Sequence, residues 1–284
     1  MHPKHLSFFS VTIMLLLSIF AVNCFAFPAP FWLREGAYAY YHIDSNPIVF
    51  ENGTSIWRGN GTYGWKCVGM TGNSAILEVS VNITGRALYP NQTKTAPYAS
   101  AETHMISIDV ETREAFCGDE YLGFLPYWIP ANIQELPFMS KDELPDWVPK
   151  DIEWRYIENF ASYENVTTYG LLGNGSDVET PYKTFKGDQV MSILGAFSSV
   201  HGFSYLYEKD SGLFIKTAMA SDNFLRKVIN VKNYIDNFLL EDTNIFSLPQ
   251  PASPLNILLP YIIIATTLMA TTASIYFIKI RKKP

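Results

Sequence analysis

Acidic residues set between prolines and tryptophans form the first candidate for chemistry in this 284-residue sequence. Two carboxyl groups beside aromatic rings are what a glycosidase needs, and clustered carboxylates also bind Ca²⁺. An exposed acidic loop has the same composition without any function. A membrane-anchored extracellular hydrolase of glycosidase type is therefore the alternative hypothesis. The acids concerned are Asp142, Glu143, Asp146, Asp151 and Glu153.

A second candidate is the segment Gly195–Gly202, where Ser198 and Ser199 lie near His201. Nearness in sequence rarely makes a catalytic pair, and the sequence has no Gly-X-Ser-X-Gly elbow. It also has no His-Glu-X-X-His, no Cys-X-X-Cys and no phosphate-binding glycine loop. The sequence therefore favours a non-enzymatic protein, and we expect no cofactor and no metal.

Tryptophans suggest a third kind of site, a binding groove. Aromatic residues make up 15% of the chain, and a groove lined by tryptophans stacks sugars or holds an apolar molecule. Aromatic side chains also fill pleated sheets well, so burial under loops is the competing interpretation. The candidate groove residues are Trp57, Trp65, Trp128 and Trp154.

The elements that must position these residues are predicted to be β-strands. Residues 75–84 alternate between apolar and polar, which predicts a half-buried strand with Asn82 on the wet face. Residues 104–110 repeat the pattern, and residues 203–220 predict a hairpin around the turn Lys209–Gly212. Weaker patterns predict strands at 36–43, 55–68, 152–159 and 163–171.

Two stretches interrupt the strand pattern. Residues 118–150 are rich in proline and aromatics, which predicts a long ordered loop with a short helix at Ser140–Leu144. Residues 222–240 fit either a helix capped by Asp222 or two strands, and the pattern leaves both open. The fold class we predict is all-β, with one mainly antiparallel, sandwich-like domain over residues 27–246.

The two ends of the chain predict its topology. Residues 1–26 match a secretory signal peptide cleaved after Ala26. Residues 257–278 carry no charge and would span about 33 Å as a helix, enough to cross a hydrocarbon core of about 30 Å. We predict a proline-rich tether at 247–254, a transmembrane helix at 255–280 and a cytoplasmic basic tail at 281–284.

These segments place the protein in the cell membrane as a single-pass type I chain with an extracellular domain. The alternative for the C-terminal segment is a sorting tail that is removed and replaced by a lipid. The whole chain has a formal charge of −6, from 21 basic and 27 acidic residues. One basic residue lies before position 27 and four lie after 254, so the exported part has 16 basic and 27 acidic residues and a charge of −11. Such a surface does not fit nucleic acid.

Six Asn-X-Ser/Thr sequons predict a glycoprotein, and all six lie in the exported part. The sequon asparagines are Asn52, Asn60, Asn82, Asn91, Asn165 and Asn174. Residues 175–246 hold none, so we expect the contact face for an envelope protein or a small ligand there. Removal of the signal would leave Cys67 and Cys117, which predict a disulfide in an exported chain.

Three short segments resemble exported, membrane-tethered surface proteins of archaea whose function is uncharacterised. The segments are Trp32–Tyr38 (WLREGAY), Tyr207–Lys216 (YEKDSGLFIK) and Leu240–Ile245 (LEDTNI). Where such proteins often carry Trp-Tyr-Asp-Lys-X-Thr-Gly, this chain has Leu-Tyr-Glu-Lys-Asp-Ser-Gly from Leu206. The resemblance implies a β-rich surface domain and assigns no activity and no catalytic residue.

Overall fold

The structure is a computed structural model, and it describes only part of the chain. The described residues are 29–45, 47–110, 112–131, 133–143, 154–157, 162–165, 168–196, 203–220, 223–232 and 235–248. The predicted signal peptide, transmembrane helix and basic tail lie outside these ranges. Within them, no helix is both long enough and apolar enough to cross a bilayer.

Antiparallel strands dominate the described residues, which confirms the all-β class. Helical structure in these ranges is limited to α1 (Asn223–Lys227) and 3₁₀ turns at Lys141–Glu143, Gly187–Gln189 and Ile245–Ser247. The strands are β1 (Tyr38–Ser45), β2 (Ile48–Val49), β3 (Ser55–Thr71), β4 (Ser74–Leu88), β5 (Ala96–Asp109), β6 (Glu114–Cys117), β7 (Glu120–Phe124), β8 (Leu136–Ser140), β9 (Trp154–Ile157), β10 (Ser162–Asn165), β11 (Thr168–Gly173), β12 (Val178–Glu179), β13 (Thr184–Phe185), β14 (Val190–Ala196), β15 (Phe203–Glu208), β16 (Phe214–Ala220) and β17 (Ile235–Thr243).

Thirteen strands join in one sheet with the order β7-β6-β5-β4-β3-β1-β17-β16-β15-β14-β11-β8, and β2 pairs with β3. The remaining described strands form two hairpins, β9–β10 and β12–β13. Two runs of consecutive strands, β3 to β7 and β14 to β17, meet on either side of β1. The first strand of the chain therefore ties both halves of the sheet together.

The sheet has an inner, buried face and an outer, polar face, as the alternation in β4 predicts. Leu77, Val79 and Ile83 are almost wholly buried, whereas Glu78 and Asn82 between them are exposed. The outer face is close-packed at one point, where the Tyr40 ring occupies the space that a Cβ on Gly64 would need. Only glycine fits beneath that ring.

Aromatic side chains fill the inner face. The segment 125–131 covers it, forming an isolated bridge between Trp128 and Leu213, and the Trp32 indole donates a 2.8 Å hydrogen bond to the Ser211 carbonyl. On the other side of the core, Phe224 of α1 stacks on Tyr63 with ring centroids 6.1 Å apart. Each such side chain contributes about 1.5–3 kcal/mol by leaving water.

The proline-rich stretch differs from its prediction, because two strands lie within the predicted loop. β7 pairs with β6, and β8 pairs with β11 at the opposite end of the strand order. Both are terminal strands. β8 contains Pro137, and proline is tolerated in a terminal strand because one side of the backbone needs no ladder partner, whereas β7 contains no proline. The open stretch 222–240 matches neither alternative fully: its described residues hold the short α1 and the start of one strand, β17, and the predicted cap Asp222 lies outside the described residues.

Candidate functional site

The predicted tryptophan groove does not assemble among the described residues. Trp65 and Trp128 meet with centroids 6.2 Å apart, but both are buried and both pack on Trp32. Trp57 is 43% exposed and lies on the outer face opposite Arg86. The side chain of Trp154 is outside the described residues. Two of the four tryptophans are therefore core residues, and a third faces solvent on the other side of the sheet.

A buried arginine, which the sequence analysis missed, lies inside this aromatic cluster. Arg113 is 4% exposed, donates a hydrogen bond from Nη2 to the Trp128 carbonyl and places its guanidinium 5.6 Å from the Trp128 ring centre. Burial lowers its pKa to about 10, which leaves it protonated at neutral pH. In the sequence, Arg113 reads as an ordinary turn residue, so no local signal could have identified it.

The phenols beside Arg113 are held neutral. Burial raises the pKa of Tyr207 and of Tyr41, and the Arg113 charge offsets only part of the effect on Tyr207. The Tyr41 hydroxyl donates to the Phe214 carbonyl at 3.1 Å, and the nearby Trp65 indole offsets part of the rise in the Tyr41 pKa. Neither phenol can act as a base near neutrality, so this cluster fits a structural role.

Two buried polar atoms in the cluster lack a hydrogen-bond partner of good geometry among the described residues, Trp65 Nε1 and Tyr207 Oη. Each such atom costs free energy unless a partner compensates it. Among the described residues, buried side-chain hydrogen-bonding groups are therefore least well satisfied in this cluster.

The predicted acidic site is only partly visible. Asp142 and Glu143 are exposed on the 3₁₀ turn, and Ser140 donates to Glu143 Oε2 from its backbone N–H at 3.0 Å and its hydroxyl at 2.8 Å. These hydrogen bonds lower the Glu143 pKa, whereas a general acid needs a raised one. Asp146, Asp151 and Glu153 lie outside the described residues. In the described ranges, no three His, Cys, Asp or Glu side chains converge on a metal position.

The predicted disulfide is not formed in the structure, where Cys67 and Cys117 are both free. Cys67 pairs with Leu77 and Leu77 with Ile106, so β4 and β5 lie between the two cysteine-bearing strands. Three strand spacings amount to about 14 Å along the sheet, whereas a disulfide requires Cα atoms within about 7 Å. Burial raises the pKa of both thiols, which disfavours the reactive thiolate.

Four sequon asparagines are exposed, and two of them form one cross-strand group. Asn60 pairs with Thr84 and Thr62 pairs with Asn82, so the sequons of β3 and β4 lie directly opposite each other on the outer face. Asn52 and Asn91 lie outside the strands, and Asn91 has a left-handed backbone with φ of 64°. These four positions are open to a glycan.

The other two sequons differ. Asn174 is half-buried; its Nδ2 donates to the Ser176 carbonyl at 2.6 Å, and its Oδ1 accepts from the Ser192 hydroxyl at 3.2 Å. A glycan on Nδ2 would have to displace the first of these bonds. The side chain of Asn165 is outside the described residues.

Three of the six large exposed apolar side chains among the described residues lie on the neighbouring strands β5, β6 and β7. Phe116 and Tyr121 pair across β6 and β7 with ring centroids 5.2 Å apart, and Ser107 pairs with Phe116. Met105, two residues before Ser107, is the diagonal neighbour of Phe116 on the outer face and is 49% exposed. We call Met105, Phe116 and Tyr121 the edge patch. It contains no sequon, and it lies outside the expected contact face at 175–246.

Comparison of the chain with protein-family models, curated proteins and solved structures gives no match. The function therefore has to be argued from the residues and the geometry of this sheet alone.

Proposed function

We propose that this chain is an exported, N-glycosylated, single-pass surface protein whose β-sheet domain binds a partner protein and catalyses no reaction. The observation that carries the proposal is the edge patch. Its residues are 38–49% exposed and lie on the last three strands at one end of the sheet order. A cluster of exposed aromatics and methionine at a sheet end is typical of a contact surface, since soluble domains rarely leave such residues grouped in water.

The placement of the sequons supports the same proposal. The cross-strand group at Asn60 and Asn82 would carry sugar over the middle of the outer face, while the edge patch has none. Among the described residues, the edge patch is therefore an apolar area that sugar on Asn60 and Asn82 would leave open to a partner. The contact face then lies on β5 to β7 instead of residues 175–246.

The electrostatics support binding over catalysis. The described acids of the candidate hydrolase site are solvent-exposed, and the lowered pKa of Glu143 disfavours proton donation near neutrality. The titratable groups that burial perturbs strongly, Arg113, Tyr41 and Tyr207, are enclosed in the core rather than open to a substrate.

Photo-crosslinking on intact cells tests the contact face. A benzoylphenylalanine in place of Phe116 should give a protein adduct, while the same probe in place of Trp57 should not. Trp57 is the matched control because it is also an exposed aromatic of the outer face, yet lies on sequon-bearing β3. Adducts formed only by probes at Lys216 or Leu239, within 175–246, would contradict the proposal.

Protease treatment of intact cells tests the topology. Loss of the domain from intact cells, and a mature mass lacking residues 1–26 but retaining 255–284, are expected. A domain protected until the cells are lysed would overturn the export hypothesis.

A further inference from the structure

The outer edge of β5 is uncovered along most of its length. β5 pairs with β4 without a register break from Ala96 to Asp109, but on its other side β6 pairs only with Ser107 and Ile108. Among the described residues, Ala96–Ile106 therefore have a strand neighbour on one side alone. We call Ala96–Ile106 the free edge. Of the residue types that protect exposed edges, it contains Pro97 and Glu102 but no lysine.

Pro97 shows which backbone groups point out of this edge. Proline has no N–H, so within a paired strand its nitrogen must face away from the ladder partner, here β4. Antiparallel strands direct the N–H and C=O of alternate residues to the same side. The outward residues after Pro97 are therefore Ala99, Ala101, Thr103 and Met105, whose side chains lie on the outer face.

We propose that two copies of this chain pair along the free edge as antiparallel strands, with Ala101 on the two-fold axis. This inference rests on the proposed binding function and names the partner. Each outward residue then meets an outward residue of the second copy, Ala101 with Ala101 and Ala99 with Thr103. We call the line along which the two free edges pair the seam. It has about eight backbone hydrogen bonds, with only one counted for each Met105–Pro97 pair because Pro97 has no N–H.

The limits of the free edge select this register. A seam centred on Thr103 would bring Ala99 of the second copy against Ser107, whose outer side β6 already occupies. A seam centred on Glu102 would place two carboxylates directly opposite each other, and like charges in that position are destabilising. A seam centred on Ser100 pairs a shorter stretch and makes fewer bonds. Centring on Ala101 pairs Ala96–Ile106 completely with itself.

The side chains agree with the same register. Small residues, Ala99 and Ala101, occupy the centre of the seam on the outer face. At each end Met105 lies beside Pro97 of the second copy, which covers part of the edge patch with apolar surface. Glu102 faces Ser100 of the second copy, and within one chain the Ser100 hydroxyl already donates to Glu102 Oε1 at 3.4 Å.

Cysteine substitution in the full-length protein in native membranes tests the register. Ala101→Cys should give a disulfide-linked dimer without reductant, because the paired Cα atoms would lie about 5.5 Å apart. Thr103→Cys is the matched control on the same exposed face. Its two copies would lie about 14 Å apart along the strand and should stay unlinked, as should the parent chain with Cys67 and Cys117.

A mixture of Ala99→Cys and Thr103→Cys chains gives an independent readout, since these residues face each other in the seam and should link. A bridge in Thr103→Cys alone, or no bridge in either Ala101→Cys or the mixture, would overturn the proposal. Because Asn82 lies opposite Ala101 on β4, a bridge that forms only after Asn82→Gln would also overturn the proposed pairing for the glycosylated protein.

Photo-crosslinking separates this pairing from the proposed function. A benzoylphenylalanine adduct at Phe116 with a different protein, without the Ala101→Cys bridge, would leave the proposed function standing and refute only the self-pairing.

Discussion

The turn between β15 and β16 is largely buried, whereas the outer face of the free edge of β5 is exposed. The polarity of their residues would suggest the opposite. The turn reads as polar, with Glu208, Asp210 and Ser211, yet Glu208 and Ser211 are buried. On the free edge, Ala96–Ile106, the apolar residues Ala99, Ala101 and Met105 are exposed. Burial follows from whether the backbone and the side chains find partners, and residue polarity alone does not decide it.

The turn is buried because its polar groups are satisfied by neighbours. Glu208 Oε2 accepts from the backbone N–H of Ser211 at 2.7 Å and from its hydroxyl at 2.5 Å. The Ser211 and Gly212 carbonyls accept from the Trp32 indole at 2.8 Å and the Ile129 N–H at 2.9 Å. The outward N–H and C=O groups of the free edge have no described strand beside them. A second chain can therefore pair with them, as proposed above.

The largest effect is expected at Gly212. Its backbone has φ of +71°, and a Cβ there would collide with the Ile129 carbonyl, so Gly212→Ala should lower the free energy of unfolding by about 3 kcal/mol or more. Gly118→Ala is the control, because Gly118 also has positive φ (+59°) but open space around its Cβ position. It should lose only about 1 kcal/mol. Urea denaturation measures both, and equal losses would show that the turn is not closely packed.

The second largest loss of unfolding free energy is expected at Glu208, and Glu102 serves as its control. Each of these glutamates accepts a hydrogen bond from a nearby serine. Glu208→Ala leaves the buried Ser211 N–H and hydroxyl without their acceptor and should cost about 2–3 kcal/mol. Glu102→Ala removes the exposed contacts with Ser100 and His104 and should cost less than about 0.5 kcal/mol. If Glu102→Ala lowered the unfolding free energy as much as Glu208→Ala, the proposed difference between the buried turn and the exposed edge would be wrong.

Sequence patterns predicted these two regions to different degrees, for physical reasons. The hairpin Phe203–Ala220 was predictable because apolar runs flank a glycine-containing turn, but its burial depends on Trp32 and Ile129, which are distant in sequence. The pattern at 104–110 predicted only the second part of β5. Its first part, from Ala96, is small and polar with no alternation, and long pairing with β4 overrides that weak propensity.

The candidate sites divide in the same way. Exposed sequons such as Asn82 follow directly from strand alternation and were predictable. Arg113 and the edge patch were not, because both depend on which strands become neighbours in the sheet. Pairing between β5 and β6 brings Phe116 beside Ser107, and no short-range pattern specifies that pairing.

Proline substitution along β5 gives a third, smaller test. Ala101→Pro removes an N–H that faces away from β4, as Pro97 does naturally, and should lower the unfolding free energy by less than about 1 kcal/mol. Ser100→Pro removes an N–H of the β4 ladder and leaves a β4 carbonyl without its donor, which costs about 1–3 kcal/mol. Urea denaturation of the two variants in dilute protein compares them. The reverse order would mean that the free edge points the other way and would remove the basis for pairing at Ala101.

The smallest effect concerns an exposed carboxylate that contrasts with buried Glu208. Lys186 Nζ lies 2.6 Å from Asp177 Oδ2, and the Gly187 N–H donates to Asp177 Oδ1 at 3.1 Å. The ammonium group and the backbone N–H lower the Asp177 pKa, and Asp177 raises the Lys186 pKa. The stabilisation from Asp177 is therefore present above its ordinary pKa of 3.8 and is lost as the pH falls below it.

The same pair should weaken again at high pH, because Lys186 contributes fully below its ordinary pKa of 10.5 and loses its proton above its raised value. The difference in melting temperature between the parent and Asp177→Asn should be constant between about pH 5 and pH 9, and should shrink on either side. It should also shrink in about 1 M salt, since both side chains are about half exposed or more. Glu51→Gln, which removes one exposed negative charge as Asp177→Asn does, supplies the control for a general change in net charge. A difference as large at pH 3 as at pH 7 would show that the carboxylate form of Asp177 does not stabilise the fold.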